Sequence, residues 1–277
     1  MQLDEFIRLS LAEDVGDGDH SSIACIPAEA QSRAQLLVKD SGILAGIEVG
    51  LAVLKTVDPR LHFTTQLKDG DRVTPGDIAF TVSGSARNIL TAERLCLNIM
   101  QRMSGIATIT ASIVAQLQGT SCILLDTRKT TPLNRFLEKA AVRIGGGQNH
   151  RFGLYDMIMI KDNHIDFAGG IGPAIERAKA YLKSLNKQLK IEVEARNLEE
   201  VAEILANGPV DRIMLDNFSF ADLRTAVSLI GNQAETEASG GITPDNAIDY
   251  ARCGVNYLSM GALTHTIKNF DLSLKAY

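Results

Sequence analysis

The sequence lacks the short signatures that mark several common enzyme classes. It contains no GxGxxG after a strand, no GxxxxGKS or GxxxxGKT, no GxSxG and no HExxH. Dinucleotide-binding, nucleotide-hydrolysing and triad-hydrolase functions therefore lose their usual support. The four cysteines (Cys25, Cys96, Cys122 and Cys253) have no CxxC spacing, so neither a zinc site nor a disulfide framework is indicated. Three of them lie in apolar runs, and we expect buried thiols in a reducing cytosol.

The chain also lacks long hydrophobic runs and an excess of positive charge. No apolar stretch approaches the roughly 20 residues that span a bilayer, and no basic region precedes an apolar core at the N-terminus, so we expect no signal peptide. The net charge of −5 and the isoelectric point near 5.6 argue against a nucleic-acid or membrane-surface protein. With 277 residues, 45% apolar and 22% charged, we expect a cytoplasmic enzyme with one large α/β domain, or a medium domain and a smaller one.

A cationic cluster lies between Asp126 and Ile165. In these 40 residues seven Lys or Arg face four Asp or Glu, which leaves +3 on a chain whose net charge is −5. A local cluster of this kind on an acidic protein indicates an anionic small molecule, because nucleic acid usually needs a broad basic face. The seven cations are Arg128, Lys129, Arg135, Lys139, Arg143, Arg151 and Lys161.

The first third of the chain has the pattern of a compact, β-rich module. Gly and Pro punctuate its short β segments. Two helices then follow, predicted at 88–103 and 106–118, and we place the domain boundary near them. The predicted strands of this part are 34–39, 61–67 and 78–83, and its predicted helix is 47–57.

From residue 122 onward, short β-branched runs alternate with helices. This repeat predicts a parallel sheet covered by helices, either closed as a barrel or doubly wound. The predicted strands are 122–126, 157–161, 190–194, 212–216, 235–239 and 256–260. The predicted helices are 133–143, 172–184, 198–206, 220–230 and 245–252.

The ends of these strands favour the barrel. Each strand ends on, or just before, a polar residue or a glycine, and in an α/β barrel such positions converge on the rim that carries the active site. Strands often end in polar residues, but six such residues of mixed charge, all at carboxyl ends of strands, favour an active site. The six residues are Asp126, Lys161, Glu194, Asp216, Ser239 and Gly261.

Three parts of the cationic cluster have donors for carboxylate or phosphate oxygens. Arg128 and Lys129 stand among threonines just after a predicted strand, although a solvated loop has the same composition. The glycines at 145–147 precede Asn-His-Arg at 149–151 and would let backbone N–H groups approach an anion; a flexible turn is the alternative. Lys161 could be a structural ion-pair partner, but a lysine at a strand end inside a barrel is more often functional.

Carboxylates and small-residue turns predict further parts of a site. Glu192 and Glu194 share one strand face, and carboxylates inside a barrel need a cation, either a protein group or a metal such as Mg²⁺. The turns 239–243 and 259–265 follow the last two strands, where α/β barrels commonly bind phosphate; tight βα turns are the equal alternative. A polar stripe on the predicted helix at 88–103 fits the wet face of an amphipathic helix. It contains Thr91, Arg94, Asn98 and Gln101.

The motifs and their order resemble those of the quinolinate phosphoribosyltransferase family over nearly the whole chain. The resemblance is carried by LAEDVGDGD, TAERLCLN, SGIAT, DTRKTTP, LEKAAVRIGGGQNHR, IKDNHI, IEVEA, MLDNF, EASGGI and SMGALTH. Two departures are visible. Leu133 and Asn134 follow Pro132 where the family usually has a glycine, and Ala140 stands where a tyrosine often precedes Ala-Val. Both bear on the shape of a loop and helix more than on the reaction.

The resemblance implies an enzyme of NAD biosynthesis. It would join quinolinate to phosphoribosyl pyrophosphate with Mg²⁺ and release nicotinate mononucleotide, pyrophosphate and carbon dioxide. The implied fold is an N-terminal α/β sandwich domain (1–104) and a seven-stranded α/β barrel (105–265), with a C-terminal tail (266–277) packed back on the N-terminal domain. The implied assembly is a homodimer or higher homo-oligomer with shared active sites.

Motif matching implies a role for each candidate residue. The implied catalytic residues are Lys129, Lys161, Glu194 and Asp216, of which Glu194 and Asp216 would hold Mg²⁺ directly or through water. The implied quinolinate pocket contains Arg128, His150, Arg151 and Lys161, with Lys129 nearby and Arg94 reaching in from a partner subunit. The implied phosphate-binding turns contain Ser239, Gly240, Gly261 and His265.

The sequence is compatible with three other functions. A relative of this fold could act on another pyridine carboxylate. The barrel could be a Schiff-base aldolase with Lys129 or Lys161 as nucleophile, which borohydride trapping with a carbonyl substrate would detect. A non-catalytic phosphate-sugar binding protein is the third, and a turnover assay distinguishes it from an enzyme.

Overall fold

The computed structural model describes residues 2–277, and the chain divides into two compact units. The first unit contains Met1–Ala111, Thr130–Gly146 and Leu263–Tyr277, and the second contains Ser112–Lys129 and Gly147–Ala262. Among the described residues, no helix has both the length and the apolar character that a membrane crossing requires.

Strands and helices alternate along most of the chain. The strands are β1 (Gln31–Val38), β2 (Gly42–Ile43), β3 (His62–Thr65), β4 (Arg72–Val73), β5 (Ile78–Ser85), β6 (Ile123–Leu125), β7 (Ile158–Ile160), β8 (Ile191–Ala195), β9 (Arg212–Asp216), β10 (Glu235–Ser239), β11 (Tyr257–Ser259) and β12 (Leu272–Ala276). The helices are α1 (Leu3–Val15), α2 (His20–Cys25), α3 (Ile47–Val57), α4 (Ala86–Gln116), α5 (Arg135–Ile144), α6 (Asp162–Ala168), α7 (Ile171–Ser184), α8 (Leu198–Ala206), α9 (Phe220–Ile230), α10 (Ala247–Ala251) and α11 (Ala262–His265).

The first unit contains an antiparallel sheet with the strand order β12-β1-β5-β3. Its central strand β1 alternates in burial, and Ala34, Leu36 and Val38 belong to the core, as the two-residue period of a strand requires. Leu36 pairs with Leu274 of β12 on one side and with Phe80 of β5 on the other. The C-terminal strand therefore completes a sheet whose other strands all come from the first 85 residues.

The long helix α4 is a single helix of 31 residues, so the prediction of two helices at 88–103 and 106–118 is wrong. The predicted break lay at Ser104 and Gly105, but an isolated glycine weakens a helix by only about 1 kcal/mol. A Cβ on Gly105 would lie 2.3 Å from the carbonyl oxygen of Lys268. Ser104 is fully buried and exchanges two hydrogen bonds with the backbone of Ala45. Tertiary packing at these two residues therefore explains small side chains inside a continuous helix.

The second unit contains a parallel sheet of six strands in the order β6-β11-β10-β9-β8-β7. All six predicted strands are present, each within one residue of its predicted ends, and the predicted α/β fold is confirmed. A single-residue parallel bridge also joins Leu125 to Gln148; a closed barrel of seven strands stays a prediction. Helix α6 was not predicted, because its seven residues bury only Ile165 and have no apolar stripe.

One face of this parallel sheet carries charged side chains. Successive strand residues point to opposite faces, and Val193 pairs in register with Ile213 on the apolar face, both fully buried. On the other face Glu192 pairs with Arg212, and Glu194 lies one inward-facing position nearer the carboxyl end of β8. The charged face leads to the strand ends where the candidate site lies.

Candidate active site

Lys161 and Glu194 form an ion pair at the carboxyl ends of β7 and β8. Lys161 directly follows β7, and its Nζ lies 2.5 Å from Oε2 of Glu194, a residue only 8% exposed. The backbone N–H of Lys161 donates to Nδ1 of His164 at 2.9 Å, which fixes the chain where α6 begins. The structure thus brings together two of the predicted site residues, and each neutralises the charge of the other.

Asp216 and Ser239 meet at the ends of β9 and β10. Oγ of Ser239 donates to Oδ1 of Asp216 at 2.5 Å, and Nδ2 of Asn217 donates to Oδ2 at 2.6 Å. Gly240 has a φ of +84°, and a Cβ on it would lie 2.3 Å from Oδ1 of Asn217. This turn therefore requires glycine, and it keeps the backbone after β10 close to the loop after β9.

Asp126 anchors the segment that follows the three glycines. Its carboxylate is fully buried at the end of β6, where it accepts the backbone N–H of His150 at 2.9 Å and Nδ2 of Asn149 at 2.5 Å. The next residue, Arg151, donates from Nη1 to the carbonyl oxygen of Met157 at 3.1 Å. His150 and Arg151 are therefore held in defined positions relative to the end of β6.

Positive charge accumulates beside this anchor. Arg128 and Lys129 are exposed in the loop after β6. Burial lowers the pKa of Arg151, and the positive charge of Arg128 lowers it further. Arg128 is thus close enough to disfavour the charge of Arg151, and a bound anion would relieve that repulsion. Of the four predicted pocket cations, Arg128 and Arg151 therefore supply the positive charge beside the end of β6.

His150 lies in a cluster of buried charges on the inner face of the sheet. Its Nε2 is 3.0 Å from Oε2 of Glu192 and 3.4 Å from Oε2 of Glu237, and both glutamates are fully buried. Arg212 donates from Nη1 to Oε2 of Glu237 at 2.7 Å. Burial opposes a charge on His150, but hydrogen bonds and the charges of the two glutamates outweigh it and raise the pKa of His150 to about 9. The other ring nitrogen, Nδ1, accepts the backbone N–H of Arg151 at 2.6 Å.

The remaining predicted residues divide between the two units. Arg94 and His265 belong to the first unit, where both side chains are exposed, Arg94 on α4 and His265 at the end of α11. Nδ1 of His265 lies 2.6 Å from Oγ1 of Thr266. Gly261 belongs to the second unit, directly before α11. Their assigned roles stay predictions.

A buried ion pair in the first unit was missed by the sequence analysis. Nε of Arg102 donates to Oε1 of Glu138 at 2.7 Å, and Glu138 is 1% exposed. Nη2 of Arg102 donates to Oγ1 of Thr131 at 2.9 Å and to the carbonyl oxygen of Thr264 at 3.0 Å. Thr131 and Thr264 belong to the TRKTTP and SMGALTH motifs, so Arg102 ties together two segments that are predicted to bind substrate. Arg102 and Glu138 are 36 positions apart in the sequence, so no local pattern reveals the pair.

Of the two buried glutamates near His150, the sequence pointed to Glu192 but not to Glu237. The two-residue period predicts that Glu192 shares a face with Glu194, and it applies equally to Glu237 and Ser239 on β10. Arg212 begins β9 and offered no such signal.

The rim carboxylates Glu194 and Asp216 have the hard oxygen atoms that Mg²⁺ prefers. Each already accepts a protein donor at 2.5 Å, Nζ of Lys161 for Glu194 and Oγ of Ser239 for Asp216. Mg²⁺ usually keeps several waters and binds through one or two carboxylates together with substrate phosphates. These two carboxylates therefore fit a magnesium ion held largely through water and substrate.

Comparison with known proteins matches both parts of the chain to one family. The family model described as quinolinate phosphoribosyl transferase, C-terminal domain, matches residues 106–275, and the corresponding N-terminal domain model matches residues 19–104. A chloroplastic nicotinate-nucleotide pyrophosphorylase (carboxylating) of Arabidopsis thaliana is 46% identical over 284 residues, which cover 97% of this chain and 81% of the relative.

Bacterial proteins match over almost their full length. A probable nicotinate-nucleotide pyrophosphorylase (carboxylating) of Bacillus subtilis is 40% identical over 274 residues, covering 99% of this chain and 93% of the relative. The crystal structure of NadC from Streptococcus pyogenes superposes with a TM-score of 0.94 at 41% identity, covering 99% of this chain and 95% of that one.

Proposed function

Because the chain belongs to the quinolinate phosphoribosyltransferase family, we propose that the strand-end residues of its second unit bind quinolinate and phosphoribosyl pyrophosphate and promote their reaction. The protein is an enzyme of NAD biosynthesis that transfers the phosphoribosyl group to quinolinate with decarboxylation. The products are nicotinate mononucleotide, pyrophosphate and carbon dioxide.

The quinolinate pocket is assigned to Arg128, His150, Arg151 and Lys161. Quinolinate carries two carboxylates, and guanidinium groups bind carboxylates through two parallel hydrogen bonds. The observation that supports this assignment best is the closeness of the two arginines, since the positive charge of Arg128 adds to burial in lowering the pKa of Arg151. A dianion between them would neutralise both.

The carboxylates Glu194 and Asp216 are assigned to the ribose. Transfer breaks the bond from ribose C1 to pyrophosphate and forms a bond to the ring nitrogen through an oxocarbenium-like centre, whose positive charge nearby carboxylates stabilise. Lys129 supplies a cation for the departing pyrophosphate. Loss of the 2-carboxylate as carbon dioxide leaves an electron pair beside the cationic ring nitrogen, and a proton then takes its place. Positioning of the two substrates supplies much of the acceleration.

Magnesium and phosphate binding complete the assignment. Glu194 and Asp216 would hold Mg²⁺, directly or through water, and the ion would add positive charge beside the pyrophosphate. The turns at Ser239, Gly240 and Gly261 are assigned to phosphate groups, because glycine lets backbone N–H groups come close to an anion. His265 is assigned to the same role by its motif. Activity should disappear in excess chelator and return with added Mg²⁺; full activity in chelator would contradict the metal assignment.

The active assembly is proposed to be at least a homodimer with shared sites. Arg94 is exposed on α4, so it is available to complete the site of a second copy. Arg94→Ala should then be inactive but still oligomeric, because the substitution removes an exposed contact to the ligand and leaves the core unchanged. Mixing it with inactive Lys161→Ala protein should restore part of the activity. A fully active monomer, or no recovery after verified subunit exchange, would count against sharing.

The free cysteine thiols support a cytoplasmic location, which we propose for this protein. All four cysteines are free, and three are buried, which fits a reducing compartment. Plant relatives carry chloroplastic and mitochondrial names, so fractionation of cells that express the natural protein is the test, and enrichment in an organelle would overturn the proposal.

The pocket assignment is tested by Arg128→Ala and Arg151→Ala. Quinolinate consumption is followed by ultraviolet absorbance with phosphoribosyl pyrophosphate and Mg²⁺, and quinolinate binding is measured directly. Each variant should lose about 2–4 kcal/mol of quinolinate binding, roughly 30- to 1000-fold, as expected for one partner of a desolvated charge pair. Arg252→Ala, an exposed arginine paired with Asp249, is the control and should bind normally. Normal affinity in both pocket variants would refute the assignment.

A further inference from the structure

Arg102 has no role in the proposed reaction, yet its guanidinium contacts three segments from distant parts of the sequence. It lies near the middle of α4, and its side chain is 28% exposed. Its Nε donates to Oε1 of Glu138 on α5 at 2.7 Å. Its Nη2 donates to Oγ1 of Thr131 at 2.9 Å and to the carbonyl oxygen of Thr264 at 3.0 Å. One side chain therefore joins α5, the loop after β6 and the short helix α11.

Glu138 binds the same loop with both of its carboxylate oxygens. Its Oε2 accepts the backbone N–H of Thr131 at 3.2 Å, and its Oε1 accepts Nδ2 of Asn134 at 3.5 Å in addition to Arg102. The carboxylate is 1% exposed, so these hydrogen bonds form at low local dielectric, where they are stronger. The loop is thus bound at its backbone by Glu138 and at the hydroxyl of Thr131 by Arg102.

The chain around α11 is bound to α4 on both sides of His265. Before His265, the carbonyl oxygen of Thr264, a fully buried residue, accepts Nη2 of Arg102. After His265, the backbone N–H of Phe270 donates to the carbonyl oxygen of Gln101 at 2.9 Å. His265 therefore lies in a segment whose backbone is held against α4 by two neighbouring residues of that helix.

Both segments contain a residue that is assigned to phosphoribosyl pyrophosphate. Lys129, two positions before Thr131, is assigned to the departing pyrophosphate, and His265, directly after Thr264, is assigned to a phosphate group. Two residues of chain span at most about 7 Å, so a fixed Thr131 limits where the backbone of Lys129 can lie. A fixed Thr264 limits the backbone of His265 in the same way.

We propose that Arg102 is a positioning residue of the phosphoribosyl transfer, which holds the loop after β6 and the segment around α11 in the arrangement that binds phosphoribosyl pyrophosphate. Glu138 supports this role because it fixes the guanidinium through Nε. The inference rests on the proposed assignment of Lys129 and His265 to that substrate. Segments that are ordered before the substrate arrives lose less conformational entropy on binding, so loosening them should weaken binding.

Two substitutions loosen the segments without removing the charge that Glu138 needs. Arg102→Lys keeps a positive charge there, but an ammonium on a flexible chain lacks the planar fork that reaches several acceptors at once. Thr131→Val removes the hydroxyl acceptor and keeps the β-branched shape at an exposed position. The matched controls are Arg8→Lys, at an exposed arginine on α1, and Thr225→Val, at an exposed threonine on α9 whose hydroxyl bonds within its own helix.

Initial rates at varied concentrations of each substrate give kcat and the two KM values. KM for phosphoribosyl pyrophosphate should rise about 10- to 100-fold in Arg102→Lys and about 3- to 10-fold in Thr131→Val, which loses a single contact. KM for quinolinate should stay within about twofold, because most of its assigned cations share no partner with Arg102. Both controls should stay within about twofold in every quantity.

The difference between the two KM values separates positioning from a loss of stability. A variant that only loses folded enzyme has a lower kcat and unchanged KM values, because the enzyme that remains is normal. A normal KM for phosphoribosyl pyrophosphate in folded Arg102→Lys, or equal rises in both KM values, would overturn the proposal. If Arg102→Lys does not fold, Thr131→Val decides in the same way, since its altered side chain is exposed.

Lys129→Ala and His265→Ala separate this inference from the proposed substrate site. If both variants have a normal KM for phosphoribosyl pyrophosphate, the assignment of the two segments to that substrate fails, and this inference fails with it. If either variant raises that KM while Arg102→Lys and Thr131→Val leave it unchanged, the substrate assignment stands and only the positioning role is wrong.

Discussion

Replacing Arg102 by methionine should destabilise the first unit. Arg102 donates to Glu138 at 2.7 Å, and it also bonds to Thr131 and Thr264. Methionine keeps most of the side-chain volume on α4 but removes the cation. The carboxylate of Glu138, which is 1% exposed, would then be buried without its principal counter-charge.

The size of the loss follows from the burial of the two partners. Breaking a buried ion pair by removing one partner typically costs about 3–5 kcal/mol. The side chain of Arg102 is 28% exposed, so water reaches one end of the pair, and the N–H of Thr131 still donates to Oε2 of Glu138 at 3.2 Å. Both effects favour the lower end of the range, and we expect a loss of about 3 kcal/mol in the free energy of unfolding.

Urea unfolding followed by circular dichroism at one protein concentration measures this loss. A double-mutant cycle with Glu138→Gln should give a coupling energy of about 2 kcal/mol, because the two groups are in direct contact. Arg8→Met, a substitution of an exposed arginine on α1, is the control and should change stability by less than about 0.5 kcal/mol. A loss below about 1 kcal/mol for Arg102→Met at an unchanged denaturant slope would refute this reasoning.

Three further outcomes are expected. Gly240→Ala should raise KM for phosphoribosyl pyrophosphate and lower the melting temperature, because the turn has a φ of +84° and the new Cβ would meet Asn217 at 2.3 Å; normal kinetics would contradict the phosphate-turn assignment. The pKa of His150 is raised from 6.5 to about 9, so its stabilising charge is complete below pH 6.5 and is lost as the pH rises through 9. The free energy of unfolding should fall over that interval, and His150→Gln should flatten the decline. Asp126→Asn should lose about 1–3 kcal/mol of stability, since its amide would turn a donor toward the donor of His150 or Asn149; an unchanged urea midpoint would contradict this.

Several features of this protein follow from the sequence alone. Short β-branched runs predict both ends of all six parallel strands to within one residue. The reason is that the local pattern of residues largely determines where a strand begins and ends. The carboxyl ends of parallel strands lie along one edge, so the strand-end residues were expected to meet. The structure confirms this for Lys161 with Glu194 and for Asp216 with Ser239. The order of many short motifs indicates the family without any knowledge of the fold.

Tertiary structure alone decided which charges are buried and which residues pair over long sequence distances. Arg102 meets Glu138 across 36 residues, and β1 receives its edge partner from the C-terminal β12. The enclosure of His150 by Glu192 and Glu237 likewise joins three strands. A sequence shows the charge of a side chain but neither its depth nor its neighbours. Since burial and neighbouring charges set a pKa, the charge state of His150 is a property of the assembled sheet.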